Sequence, residues 1–433
     1  MLFFSIIVPT RNRGKLLVES AIPSILDQDF DSYEIVICDN NSSDNTKVLV
    51  ENLMRKYPKI RYVYSPVWIP KEKFFEFSLK QAKGEYSILF FDDDVFIKNT
   101  LKFCYNVLSK IPLPVFTFSN KIVYFYSDWH ISDNKNTLKI PFHTKEIIIK
   151  DSKKLLKKIF DTLDLIPGTP DVTNSFYRTP FILELIDKYG TLFPYGHMGD
   201  YNIACYTLAN TEYILFYDGP IIIFGHWSQN TTQQLRFLKT TMNEYKEWTD
   251  WAKENLLKDM PFKEYTFSNC IVATLSKMKQ QLNLPYSIDF TKYIQKIYND
   301  LLYIKAAGID TSYLKEKFIE FIKERNINLR KIIGIKNVSR PEIDFINFMP
   351  TSMFKGEKYG FNNILEARFF FDSLKKKTLS THTFEIEILR KFTYYFLKLG
   401  SKIIQKLFGL KFYKKLLKTL KIMAIYILSK SEE

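Results

Sequence analysis

Three consecutive carboxylates, Asp92, Asp93 and Asp94, follow directly on a short apolar run at 87–91. In an extended chain alternate side chains share a side, so Asp92 and Asp94 point together and Asp93 points away. Two carboxylates on one side suit a hard, oxygen-seeking cation such as Mg2+ or Mn2+, which in turn can hold a diphosphate. Left unpaired they repel each other, so a cation or hydrogen-bond donor is expected nearby. The same residues also fit a solvated acidic turn after a strand, because Asp is common in turns.

The elements that would position these acids read as an alternation. Apolar runs at 3–8, 34–38, 60–64 and 87–91 read as strands, with helices expected at 16–26, 46–57 and 74–82. Ser43 or Asp44 can cap the second of these helices. This β-α-β-α-β-α-β order predicts an α/β domain with a mainly parallel sheet and helices on both faces. Ligands of such sheets gather at the carboxyl ends of the strands. Three of those ends are polar: Thr10 and Arg11, Asp39 and Asn40, and Asp92 to Asp94. Neither a GxGxxG fingerprint nor a phosphate-loop lysine motif is present, which argues against a dinucleotide oxidoreductase and a P-loop enzyme.

The three stretches IIVPTRNR, EIVICDNNSSDNT and KGEYSILFFDDDV, in this order and spacing, resemble the amino-terminal half of a family 2 glycosyltransferase of the GT-A fold. The resemblance covers about the first 100 residues well and the next 130 loosely. It implies that Pro9, Thr10, Arg11 and Asp39 hold the nucleotide, with Asp92 and Asp93 at the donor and Asp94 at a metal. Many relatives carry an Arg-Asn pair in the helix before the acidic strand. This chain has none, and Lys71 or Lys73 is the substitute at the donor phosphates, or a surface lysine.

Farther on, the resemblance places a general base at Asp200, in FPYGHMGDYNIACYTLA, where a helix is expected at 203–208. Inverting transfer needs a group that takes the proton of the acceptor hydroxyl as it attacks the anomeric carbon. Asp200 also suits a helix N-cap. A strand at 221–224 leads to His226, which the resemblance makes a further metal ligand or phosphate donor, and which is otherwise a packed or surface residue. His197 is an acceptor-site candidate. Strands are expected within 115–126 and at 174–177, and helices at 98–110 and 153–164, with Pro180 opening another. Residues 128–151 read as polar and irregular, an insertion near the acceptor site.

Three parts are expected: a GT-A domain at 1–230, a mainly helical domain at 231–385 and a basic amphipathic tail at 386–433. The tail contains Lys398, Lys402, Lys406, Lys414, Lys415 and Lys418 among apolar residues at three- and four-residue intervals. That pattern suits an anionic membrane surface, or a helix packed on its own protein. The net charge of +15 favours polyanionic partners, but no nucleic-acid-binding fold accompanies it. Cys38, Cys104, Cys205 and Cys270 are widely spaced, which points to a reducing compartment. The run after Met1 reads as a first core strand, and no apolar run is long enough for a conventional membrane span.

The expected protein is therefore an inverting glycosyltransferase at the inner face of the cell membrane, cytoplasmic and peripheral. A nucleotide-sugar donor, UDP-sugar first, and a saccharide, polymer or lipid-linked acceptor in cell-surface polysaccharide synthesis follow from the resemblance, as does dependence on Mn2+ or Mg2+. A homo-oligomer stays open. The competitors are a non-catalytic membrane scaffold and a sugar-phosphate nucleotidyltransferase; the single glycine of PTRNRGK counts against the latter.

Overall fold

Strands with both faces covered need no polar alternation, and the first two apolar runs have none. In the computed structural model they are β1 (Phe4–Thr10) and β2 (Tyr33–Asp39), buried along their whole length. β3 (Ile60–Tyr64), β4 (Tyr86–Leu89), β5 (Val95–Phe96), β6 (Val115–Phe118), β7 (Ile122–Phe125), β8 (Thr137–Pro141) and β9 (Ile147–Asp151) follow. The last four are β10 (Ser175–Arg178), β11 (Tyr213–Tyr217), β12 (Ile222–His226) and β13 (Thr351–Lys355). The structure describes residues 2–118, 122–129, 134–141, 143–196, 198–227, 249–306, 310–329, 332 and 351–378.

The main sheet runs β3-β2-β1-β4-β10-β6-β11-β9. β3, β2, β1 and β4 are parallel, with Thr10 beside Asp39 and Ile7 beside Leu89. β10 enters antiparallel between β4 and β6, with Tyr177 opposite Ser87. Side chains alternate between two cores: Ile7, Val36 and Leu89 face one, while Ile6, Val8, Ile35 and Ile88 face the other. A second sheet runs β13-β8-β7-β12-β5.

The expected βαβ order is present, with helices at 14–26, Thr46–Lys56 and Lys71–Leu79 between the first strands. The structure differs from the sequence reading in two places. The span 128–151 holds β8, inside the second sheet, and β9, at the edge of the main sheet. Alternation in TLKIP and in EIIIKD is weak, so neither strand stood out. Residues 351–378, assigned from sequence to the helical segment 231–385, also return to the amino-terminal half. β13 pairs with β8, and the helix Ile364–Thr378 packs by Ile364, Ala367 and Phe371 against Val95 and Ile223. The fully buried Arg368 of that helix reaches Asp27 at 2.7 Å and Asp372 at 2.7 Å. The Nε contact with Asp372 is an ion pair without hydrogen-bond alignment, and one Nη makes no hydrogen bond.

The helices Phe267–Gln281, Phe290–Ala306 and Ser312–Glu324 share a core with Gly199–Asn210, through Cys270, Ile294 and Phe318 beside Ala204 and Tyr206. All four cysteines are buried free thiols. Among the described residues no helix is long and apolar enough to cross a membrane. The basic tail at 386–433 lies outside the described residues.

Candidate functional site

β4 ends just before the acids, and all three are buried: Asp92 at 2%, Asp93 at 7% and Asp94 at 4% exposure. Burial of this kind excludes the solvated turn and requires partners. Each carboxylate has one. Asp92 accepts from the Thr10 hydroxyl at 2.8 Å and from the Arg13 guanidinium at 3.0 Å. Asp93 accepts from the Trp227 indole N–H at 3.1 Å, and Asp94 from the Gly225 N–H at 3.0 Å. Arg13 also lies over the Trp227 ring, 4.4 Å from its centre. The cation expected near the acids is thus partly internal.

Electrostatics follow from this packing. Burial, and then the neighbouring Asp92 charge, push the Asp93 carboxyl above its ordinary range, against the pull of Arg13 and the indole. Burial alone would lower Arg13, but Asp92 and then Asp93 outweigh it and hold the guanidinium charged. Gly225 is required by close approach, since a Cβ there would overlap the Asp93 carbonyl oxygen.

One strand over, Asp39 is fully buried at the end of β2. It accepts from the Ser42 N–H at 2.8 Å and from the Tyr62 hydroxyl at 2.6 Å. Burial and then that carboxylate raise the Tyr62 hydroxyl far above its usual range. Pro9 is buried in β1, and Arg11 is exposed, 5.8 Å over the exposed Trp68. Asn12 and Asn41, both at positive φ, turn the loops after β1 and β2 so that they bond each other through Asn12 and Ser43 at 2.7 Å. Lys71 and Lys73 are exposed in the first turn of the helix Lys71–Leu79.

Asp200 is exposed in the first turn of the helix Gly199–Asn210. The N-cap position is Met198, so Asp200 is not the cap; it accepts from the Val172 N–H at 3.3 Å. The segment 169–174 that holds it leads into β10, whose antiparallel course starts at the end of the sheet where β4 delivers the acids. An acid in a first helical turn is stabilised as the anion. His226 closes β12, its ring 5.6 Å from both Phe125 and Trp129. His197 lies outside the described residues.

A Mg2+-type ion is commonly held by one or two carboxylates and by substrate phosphates. Among the described residues no three His, Cys, Asp or Glu side chains are gathered as a ready-made cage. The donor set fits an ion held mainly by substrate oxygens, with one or two of these carboxylates completing its shell. A broad groove lined by Lys83, Glu85 and Arg178 lies at the opposite end of β4, away from the acids.

Sequence reasoning missed Arg13, Tyr62, Gly225 and Trp227. Arg13 and Trp227 each sit within two residues of a named candidate, but Trp227 meets Asp93 because β12 returns beside β5, where Ile223 meets Val95, and Arg13 meets Asp92 because β1 lies beside β4.

Residues 5–162 match the family model described as Glycosyl transferase family 2. A GalNAc(5)-diNAcBac-PP-undecaprenol beta-1,3-glucosyltransferase of Campylobacter jejuni is 40% identical over 98 residues, 22% of this chain and 31% of the relative. The poly(ribitol-phosphate) beta-N-acetylglucosaminyltransferase TarS of Staphylococcus aureus is 39% identical over 106 residues, 24% of this chain and 18% of TarS. The chain thus spans at most about a third of the length of these two relatives. The crystal structure of S. aureus TarS 1–349 in complex with UDP-GlcNAc is 17% identical, covers 79% of this chain and 99% of that one, and gives a TM-score of 0.44.

Proposed function

We propose, from the match of residues 5–162 to the Glycosyl transferase family 2 model, that the chain is a family 2 glycosyltransferase of the GT-A class that transfers a sugar with inversion from a nucleotide-diphosphate sugar to an acceptor hydroxyl. The observation that carries the proposal is the meeting of Thr10, Arg13 and Asp92 at the ends of β1 and β4, with Asp39 at the neighbouring strand end. Pro9, Thr10, Arg11 and Asp39 bind the nucleoside, the buried Asp39 accepting from donor hydroxyls or the base. Asp92 and Asp93 face the ribose and diphosphate, with Arg13 neutralising part of their charge. Asp94 holds Mn2+ or Mg2+, with His226 beside it; the bound ion supplies charge stabilisation of the departing diphosphate. Asp200, exposed in the first helical turn, takes the acceptor proton.

The two relatives are named for a lipid-diphosphate saccharide and for a poly(ribitol-phosphate) acceptor. Both names support a cell-surface saccharide or polymer as acceptor here. Calorimetry with nucleotide diphosphates and their sugars, UDP first, tests the reading. Metal-dependent binding that is lost in Asp94→Ala is expected, with Asp200→Asn retaining donor binding and losing turnover by 100-fold or so. A folded protein that binds no nucleotide would instead favour a non-catalytic scaffold.

The basic amphipathic pattern of 386–433 supports a cytoplasmic, peripheral position on an anionic membrane. Truncation before Ile388 is expected to release the protein from phosphatidylglycerol vesicles; retention by the truncated chain removes the tail from that role.

A further inference from the structure

Among the described residues β9 is the last strand of the main sheet, paired only with β11. Its three isoleucines are all exposed, Ile147 at 43%, Ile148 at 38% and Ile149 at 54%. A flat apolar edge of this kind is a template for another strand, and proteins normally blunt it with charge, proline or a bulge. None of these interrupts Ile147–Ile149. The ladder to β11 fixes which backbone groups point outward. Ser152 N–H bonds the Glu212 carbonyl at 3.0 Å, and Asp218 N–H bonds the Glu146 carbonyl at 2.8 Å. Residues 146, 148, 150 and 152 therefore turn their backbone groups to β11, and 147, 149 and 151 turn theirs away.

The edge reads Lys145-Glu146-Ile147-Ile148-Ile149-Lys150-Asp151. Reversed, it is its own complement. Antiparallel pairing centred on Ile148 sets Ile147 opposite Ile149 of a second copy and Ile148 opposite itself. It sets Glu146 opposite Lys150. This centre also matches outward backbone with outward backbone, since Ile147 and Ile149 both turn that way. Moving the centre to Ile149 keeps the backbone match but sets Lys150 opposite Ile148 and takes Glu146 away from Lys150. Opposite charges across strands stabilise and like charges destabilise, so the register is specified by charge as well as by apolar contact. The interface is isologous, as a two-fold dimer requires.

We propose that the chain forms a two-fold dimer through β9, joining two main sheets edge to edge in the register centred on Ile148. Lys150, whose Nζ reaches the Pro167 carbonyl at 2.7 Å, swings toward Glu146 of the second copy on pairing. The isoleucines leave water and the outward backbone groups gain partners.

Sedimentation velocity of the full chain across a concentration series tests this. A monomer–dimer equilibrium is expected. Ile148→Lys, which sets two lysines face to face, should weaken it at least tenfold. Glu146→Lys and Lys150→Glu should each weaken it, and the double variant Glu146→Lys/Lys150→Glu should recover most of the loss. That recovery also shows that the variants fold, as does an unchanged far-ultraviolet dichroism spectrum. A chain that stays monomeric at every concentration overturns the proposal and leaves the edge to a lipid or protein partner. So does an oligomer unmoved by Ile148→Lys, or single charge reversals without rescue by the pair.

Discussion

At the scale of single residues, Arg13 decides how three adjacent carboxylates remain buried. It is about a third exposed while Asp92 is almost wholly covered, so the pair is neither a surface bridge nor a sealed one. Removing one member of a buried pair costs about 3–5 kcal/mol, and solvent at Arg13 discounts that figure. Arg13→Ala is expected to lower stability by about 2 kcal/mol in urea titrations and to weaken nucleotide-diphosphate binding. Arg13→Lys should recover part of the charge effect but not the planar contact with Trp227. Asp39 and Asp92 were legible in the sequence because each follows an apolar run directly, and Asp94 because it shares a side with Asp92 in an extended chain. Arg13, two residues beyond Arg11, carried no such mark: one arginine of the pair meets Trp68 at the surface and the other meets Asp92, and only the turn at Asn12 separates them.

Among elements, the loop after β2 shows how local chemistry sets a helix in place. Asp44 accepts from the Thr46 N–H at 3.0 Å, from its hydroxyl, and from the Gly14 N–H at 3.3 Å. Burial would raise this carboxyl, but the bonds from Thr46 and Gly14 outweigh it and hold it below its ordinary value. A carboxyl lowered by folding adds stability above its unfolded pKa of about 3.9, and that stability fades as pH falls through the lower folded value. The stability difference between the native chain and Asp44→Ala should therefore be about 1 kcal/mol at neutral pH, a typical capping contribution. It should shrink toward zero below about pH 4 in denaturant titrations repeated across pH. The sequence placed the cap at Ser43 or Asp44; the N-cap is Asn45, without a side-chain cap bond, and Asp44 instead binds the first helical N–H at Thr46. The positions of β8 and β9 were not legible, because short strands with little polar alternation resemble irregular chain until their partners are known.

Over the whole molecule, Arg368 joins residues far apart in sequence. Its helix lies on β5 and β12, and its guanidinium meets Asp27 at the end of the helical segment that Gly14 opens. Arg368→Met removes a buried charge and takes its ion pair away from Asp372, which is largely covered. A loss of about 3 kcal/mol is expected in urea unfolding, with donor binding weakened less than in Arg13→Ala, since Arg368 stands behind the site. The return of 351–378 to the first half was illegible because nothing in TSMFK names β8 as its partner. The placing of β10 has an effect during synthesis. Parallel β1 to β4 can assemble as they are made, yet β6 and β11 can join only through β10, which begins at Ser175. From the completion of β4 at Leu89, a ribosome adding 5–20 residues each second needs roughly 4–20 s to deliver that strand. For that interval the nascent chain displays a raw parallel edge, and a chaperone that shields strands co-translationally would find its client there.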